Sequence, residues 1–304
     1  MNTNIYTHPS FIKHETPQNH PESPERLKIL LEALSAHTII ETNDYDGNII
    51  EPLILQAHTK NHLAWLEESV IEDEITCIDN QDTYLSDHSL AAAYQGVSNI
   101  CQAIDDLKNN DIKNKKSSHA FCLSRPPGHH AEPAKAMGFC LFNNIYCGAL
   151  YARSIGFEKI AIIDFDVHHG NGTQAMFEKH KPEDMIFIST HETPLYPWTG
   201  KDSKDNIYNY SLPTNSNGAY MRSLYQDTIL PQLDEFRPDL VLISAGFDAH
   251  KDDIQANLNW DESDYEWLGN ALSKYQTASI LEGGYNLDAL KHSVLAYVNG
   301  LDAS

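Results

Sequence analysis

The stretch DFDVHHGNG, residues 164 to 172, sets two aspartates and two histidines at the end of an apolar run and follows them with glycines. In an extended segment alternate residues share a face, so Asp164, Asp166 and His168 project together while Phe165 and Val167 point the other way. Two carboxylates and an imidazole on one face repel or stay unsatisfied unless a cation joins them. Zinc takes imidazole nitrogen and carboxylate oxygen, and a catalytic zinc uses three protein ligands with a fourth position left over. Asp166 and His168 supply two ligands. The third has to come from another strand end, and Asp248 in SAGFDAH is the natural source. Gly170 and Gly172 allow the tight turn into the next helix. A lone D-x-H more often caps a helix or sits in a satisfied polar core, but that reading leaves RPPGHH (125–130) and GGYN (283–286) unexplained.

These residues need elements to position them. Short apolar runs at 119–124, 159–164, 185–190, 240–245 and 278–283 are near-continuous, as expected for strands covered on both faces. Helix-length segments with spaced apolar positions lie at 24–36, 59–71, 89–108, 141–155, 218–235, 262–274 and 287–299. The first carries a start signal, with Ser23 as N-cap and Pro24 as the first helical residue. Alternating strands and helices predict an α/β fold with a mainly parallel sheet and helices on both faces. Ligands of such sheets bind beyond the carboxyl ends of the strands. RPPGHH, FDVHHGNG, HETP, GFDAH and GGYN each follow a predicted strand, so all of them converge on one edge. The stretch 191–217 reads as a long turn-rich loop whose Tyr196 and Trp198 suit a site wall, and 108–118 as a polar connector.

Composition bounds the function. The chain has 304 residues, 41% hydrophobic, with no compositional break, which predicts one domain over 1–304. Its 21 Lys+Arg against 43 Asp+Glu give a formal charge of −22, which argues against nucleic acid and for a cationic partner or substrate. Five cysteines without a C-x-x-C pair suit a reducing compartment. The N-terminal stretch has no apolar signal segment, and no run approaches the ~20 apolar residues of a membrane span. A soluble, cytoplasmic protein that does not engage membranes is the expectation.

Taken in order, RPPGHH, DFDVHHGNGTQ, AGFDAH and LEGGYN resemble the zinc-dependent histone deacetylase superfamily, which includes acetylpolyamine amidohydrolases and bacterial deacetylase-like proteins. The resemblance runs from HPESPERL near residue 20 to LEGGYNL near 287, and Asn171 is the residue found in the class II and bacterial branches. It implies the three-layer arginase/deacetylase-like fold and one Zn2+ per chain on Asp166, His168 and Asp248. It further implies that His130 shuttles protons, that His129 assists electrostatically while held by Asp164, and that Asn171 orients His130 without a charge. Tyr285 would donate its hydroxyl to the substrate carbonyl. The chemistry asks for such groups. Amide hydrolysis at neutral pH needs an acidified water, which zinc provides by lowering its pKa from ~15.7 toward ~7, and an imidazole able to accept and return a proton. A structural K+ is implied at Asp164, Asp166, His168, Ser189 and Thr190.

The same resemblance implies a narrow tunnel for an acyl-lysine or polyamine stem, walled by Phe139 beside Gly138 and by Tyr196. Flat apolar walls suit a methylene chain. Trp198 stands where many relatives have glycine. Gln255, seven residues after Asp248, stands where lysine deacetylases often carry Leu or Met and where an acidic residue marks a polyamine preference. Asp82 matches the rim acid that holds the substrate. His14 and His20 belong to the entrance segment without a catalytic part, and Cys140 is expected to be packing. The expected activity is hydrolysis of acyl-lysine amides. An acetylpolyamine amidohydrolase is the alternative, followed by a non-catalytic acyl-lysine binder and a binuclear manganese hydrolase. The oligomeric state is left open.

Overall fold

The computed structural model describes residues 3–112 and 119–303. The strands are β1 (Thr3–Thr7), β2 (Thr38–Glu41), β3 (Thr76–Cys77), β4 (Tyr84–Leu85), β5 (His119–Cys122), β6 (Ile160–Asp164), β7 (Met185–Thr193), β8 (Ile207–Pro213), β9 (Leu240–Ala245) and β10 (Thr277–Leu281). Eight of them form one sheet in the order β2-β1-β5-β10-β9-β6-β7-β8, and every pairing in it is parallel. The other two, β3 and β4, make a short antiparallel hairpin.

Alternation along the central strands divides the core. Ala120 and Cys122, Ile160 and Ile162, and Leu240 and Leu242 pack on one face with the helices Gly47–Ala57, Ser89–Ile112 and Asn144–Ser154. Phe121, Ala161 and Ile163, and Val241 and Ile243 pack on the other with Glu25–Ala33, Glu262–Leu272 and Leu287–Asp302. Covering both faces is what makes these strands apolar throughout. All strands of the large sheet point the same way, so the segments that follow β5, β6, β9 and β10 emerge along one edge.

Several expectations shift. The helix near residue 24 begins at Glu25, with Pro24, already at helical angles, in the capping position and no side-chain cap bond, since a proline ring offers no acceptor. HETP lies largely inside β7, which runs to Thr193. The supposed long loop contains β8, an edge strand with alternating burial. Residues 108–112 of the predicted connector belong to the helix Ser89–Ile112, and 113–118 lie outside the described residues. Among the described residues no helix is long and apolar enough to cross a membrane.

Candidate active site

β6 ends at Asp164, and the chain continues extended enough to keep Phe165 and Val167 in the core while Asp166 and His168 face the sheet edge. Asp248 arrives from the segment after β9. Ligand atoms of Asp166, His168 and Asp248 lie within 4.8 Å of one another, and among the described residues this is the one group of His, Cys, Asp and Glu so arranged. His168 Nδ1 sits 3.1 Å from Asp166 Oδ1 and 3.2 Å from Asp248 Oδ2.

Two features of the structure test the fit of a metal here. Asp248 Oδ2 is buried and forms no hydrogen bond of good geometry; its ion-pair neighbour is His168 Nδ1 at 3.2 Å, an arrangement that costs free energy unless a cation meets it. A Cβ on Gly283 would lie 2.0 Å from Asp248 Oδ2 and 2.5 Å from Asp166 Oδ2, so the backbone there has to approach the carboxylates as only glycine can. Both Asp166 oxygens and one of Asp248 are steadied by backbone N–H groups. His168 N donates to Asp166 Oδ1, Gly283 N to Asp166 Oδ2 and Val167 N to Asp248 Oδ1. An N/O donor set of this kind, partly pinned and with one oxygen left over, fits a divalent cation such as zinc.

Without a cation the charges resolve onto protons. Burial acts to lower the pKa of His168, but the Asp166 and Asp248 carboxylates beside it win and raise it to about 10. Burial also acts against ionisation of Asp166, and there His129 and His168 win and hold it below the usual carboxylate range.

The loop after β5 presents the histidine pair. His129 Nδ1 lies 3.1 Å from Asp164 Oδ2, and although burial opposes it, Asp166 and Asp164 raise the His129 pKa well above that of a free imidazole. His130 Nδ1 lies 2.7 Å from Asn171 Oδ1. Burial, then the positive character of His129 and His168, pushes the His130 pKa well below the ordinary value. Adjacent histidines are thus driven in opposite directions, His129 up by two carboxylates and His130 down by burial and its histidine neighbours against the opposing bond to Asn171.

Tyr285 follows Gly283 and Gly284. Its ring stands edge-on to Phe139, with centroids 5.7 Å apart, and under the Arg26 guanidinium at 5.0 Å. A cavity of about 200 Å³ is lined by His130, Gly138, Phe139, His168, Tyr196 and Tyr285 together with Asp82 and Gln255. Gly138, Phe139, Tyr196, Gln255 and Asp82 therefore border one cavity, whereas Trp198, expected as a site wall, is not among its lining residues. Gly138 and Phe139 both adopt left-handed backbone angles, φ +56° and +68°, which fold the chain back over His130. Asp82 Oδ1 is buried without a partner, and His20 braces this rim between Tyr84 and Phe139. Trp198 is 68% exposed, three residues beyond Leu195 in the turn that carries Tyr196.

Ser189 and Thr190 are buried on β7, with Ser189 in register beside Asp164 of β6. The Ser189 hydroxyl pairs with His191 Nδ1 at 3.0 Å, and Thr190 Oγ1 donates to the Asp164 carbonyl at 3.4 Å.

Three residues with a part in this geometry escape the sequence reading. Glu282 is fully buried and accepts from Gly128 N, His129 N and Ser244 Oγ, which joins the histidine loop to the tips of β9 and β10. Arg26 donates to the Gly284 carbonyl and the Glu282 carbonyl. Asp253 accepts from the backbones of Tyr285, Asn286 and Gln255. Glu282 stands inside the LEGGYN motif, so a signal existed for it. Arg26 and Asp253 are ordinary charged letters in sequence.

Residues 20–301 match the family model of the histone deacetylase domain, and the chain belongs to that family. It is an enzyme, a hydrolase of the deacetylase kind that acts on amides. Among its relatives are an uncharacterized protein of Synechocystis, 35% identical over 94% of both chains, and a probable deacetylase of Archaeoglobus fulgidus, 33% identical over 100% of this chain and 88% of that one. The match to the type-2 histone deacetylase 2 of Dictyostelium discoideum, 30% identical over 92% of this chain, spans 19% of that longer protein. Among solved structures the HDA15 HD domain superimposes with a TM-score of 0.88 at 29% identity, over 99% of this chain and 91% of that one. An acetylpolyamine aminohydrolase from Burkholderia pseudomallei does so at 0.84 and 25%, over 99% of both chains.

Proposed function

We propose that the chain, as a single catalytic domain, is a zinc-dependent deacylase that hydrolyses the side-chain amide of acetyl-lysine or a related acyl-lysine. The observation that carries this reading is the convergence of Asp166, His168 and Asp248 ligand atoms within 4.8 Å beside a cavity that His130, Tyr285, Phe139 and Tyr196 also border.

Zinc held by Asp166, His168 and Asp248 supplies a Lewis acid for the amide carbonyl and an acidified water. The chain's own groups do the rest. Asn171 Oδ1 can only accept, so His130 carries its hydrogen on Nδ1 and keeps the Nε2 lone pair for a proton. That assigns His130 Nε2 as the base and, once protonated, as the acid that returns the proton to the leaving amine. His129, charged against Asp164, contributes a fixed positive field. The Tyr285 hydroxyl donates to the carbonyl oxygen as negative charge develops on it. Phe139 and Tyr196 flank the methylene stem and keep water off it.

A second reading, hydrolysis of acetylated polyamines, is favoured by one observation. The cavity lining includes Gln255 and Asp82, and the buried Asp82 Oδ1 lacks a hydrogen-bond partner and suits an N–H donor of a slender cationic substrate. Measuring kcat/KM for acetyl-lysine peptides, N-acetylputrescine and N8-acetylspermidine, with metal content determined on the same sample, tests both. Faster peptide turnover supports the first reading and faster polyamine turnover the second. Failure to hydrolyse any of these substrates by protein carrying one zinc per chain would defeat the proposal.

A further inference from the structure

Gln255 and Tyr285 border the same cavity but come from different loops, one after β9 and the other after β10. One carboxylate touches the backbone of both. Asp253 Oδ2 accepts from Tyr285 N at 2.7 Å and from Asn286 N at 3.0 Å, while its Oδ1 accepts from Gln255 N at 3.0 Å. Asp253 is 9% exposed, and hydrogen bonds to an ionised acceptor are roughly twice as strong as neutral ones. Asn286 returns a bond from its side chain to the Asp252 carbonyl at 2.8 Å. Two residues beyond Gln255, Asn257 is fixed by Glu192, whose Oε2 accepts from Asn257 N at 2.8 Å. Gln255 therefore rides on a short arch pinned at Asp253 and Asn257.

Tyr285 needs such a restraint. It follows Gly283 and Gly284, the latter at φ +117°, a backbone that has little conformational stiffness of its own. Its ring makes edge and cation–π contacts, which leave rotation of the whole peptide to be set by the backbone bonds.

We infer that Asp253 is a positioning residue that couples the aim of the Tyr285 hydroxyl to the placement of the tunnel-wall residue Gln255. The inference rests on the deacylase reading above, in which Tyr285 meets the substrate carbonyl. Turnover and substrate choice are then linked through one side chain that touches no substrate.

The test uses the zinc-loaded full chain with Asp253→Ala, Asp253→Asn, Tyr285→Phe and the double variants, assayed on an acetyl-lysine peptide and on N8-acetylspermidine. Asp253→Ala should lower kcat about 10- to 100-fold, the scale expected when a reacting group is misplaced by about 1 Å. It should also change the ratio of kcat/KM between the two substrates, which a purely global loss of stability does not do. Asp253→Asn keeps one accepting oxygen, so it releases one of the two arms and should fall between wild type and Ala. In the Tyr285→Phe background the Asp253→Ala loss in kcat should shrink to about 3-fold or less, because residues acting through one group are non-additive. Asp252→Asn, at the exposed neighbour, should stay within about 2-fold of wild type, as surface changes usually do.

Equal losses in the wild-type and Tyr285→Phe backgrounds, or an unchanged kcat in both Asp253 variants, would overturn the coupling. If Asp253→Ala fails to fold, Asp253→Asn carries the same cycle. A fully active Tyr285→Phe would refute the role of Tyr285 and not the clamp, which is then judged on the substrate ratio alone.

Discussion

Asn171 Oδ1 lies 2.7 Å from His130 Nδ1, and the same amide donates through Nδ2 to Glu132 Oε1 at 2.8 Å. Because Glu132 accepts, the amide cannot flip, so His130 carries a hydrogen on Nδ1, and burial with the neighbouring His129 and His168 favours the neutral ring. Replacing Asn171 by Asp gives His130 an anionic partner that favours imidazolium and raises its pKa. A base must be neutral to act, so the acid limb of kcat/KM moves to higher pH, by roughly one pH unit. The Asn171→Asp change should be made together with Glu132→Gln, which avoids two facing carboxylates. An unmoved acid limb would mean that His130 is not the base seen in the profile.

Tyr285→Phe keeps the ring against Phe139 and Arg26 and removes only the hydroxyl. A loss of about 10²–10³ in kcat is expected, the usual effect of deleting one donor to a developing oxyanion. The melting temperature should hold, since among the described residues none forms a hydrogen bond with that hydroxyl. Single-turnover rates beside thermal melts provide the check.

Metal removal should alter how stability depends on pH. The His168 pKa is about 10 in the folded, metal-free protein, against 6.5 for the free side chain. Its contribution is complete below about 6.5 and is lost as pH rises through about 10, the direction linkage requires for a raised pKa. Chelator-treated protein should therefore melt at falling temperatures across that window, and zinc should restore the loss. Parallel melting curves with and without metal across that range would contradict the ligand assignment.

Two glycines separate metal binding from proton transfer. A Cβ at Gly283 meets the carboxylates of Asp248 and Asp166, whereas at Gly138, where φ is +56°, it meets His130 Cδ2 at 2.4 Å. Gly283→Ala should purify with little metal. Gly138→Ala should keep its metal yet lose about 100-fold in turnover, the scale of a displaced general base. Elemental analysis and kcat on both variants decide the matter.

How far the sequence reveals this arrangement follows from burial. β5, β6, β7, β9 and β10 announce themselves as unbroken apolar runs because helices cover both their faces. β2 is TIIE and largely exposed at the sheet edge, so it has no such run. β8 alternates buried and exposed residues among Asn, Ser and Pro, which hides it in an apparent loop. The helix Gly47–Ala57 contains Pro52, which interrupts the helical pattern. Site residues stood out where chemistry concentrates in a motif, as in DFDVHHGNG and LEGGYN. Asp253 and Arg26 stayed invisible because they act on backbone atoms, which no residue code displays.

β10 is the last strand in the chain yet lies in the middle of the sheet, between β5 and β9. Until it slots in, the two halves of the sheet share no seam and Gly283 is not beside Asp166. The last strand to be made thus brings a backbone N–H, that of Gly283, to side chains that the segments after β6 and β9 supply, so the end of the sequence and its middle meet at one point.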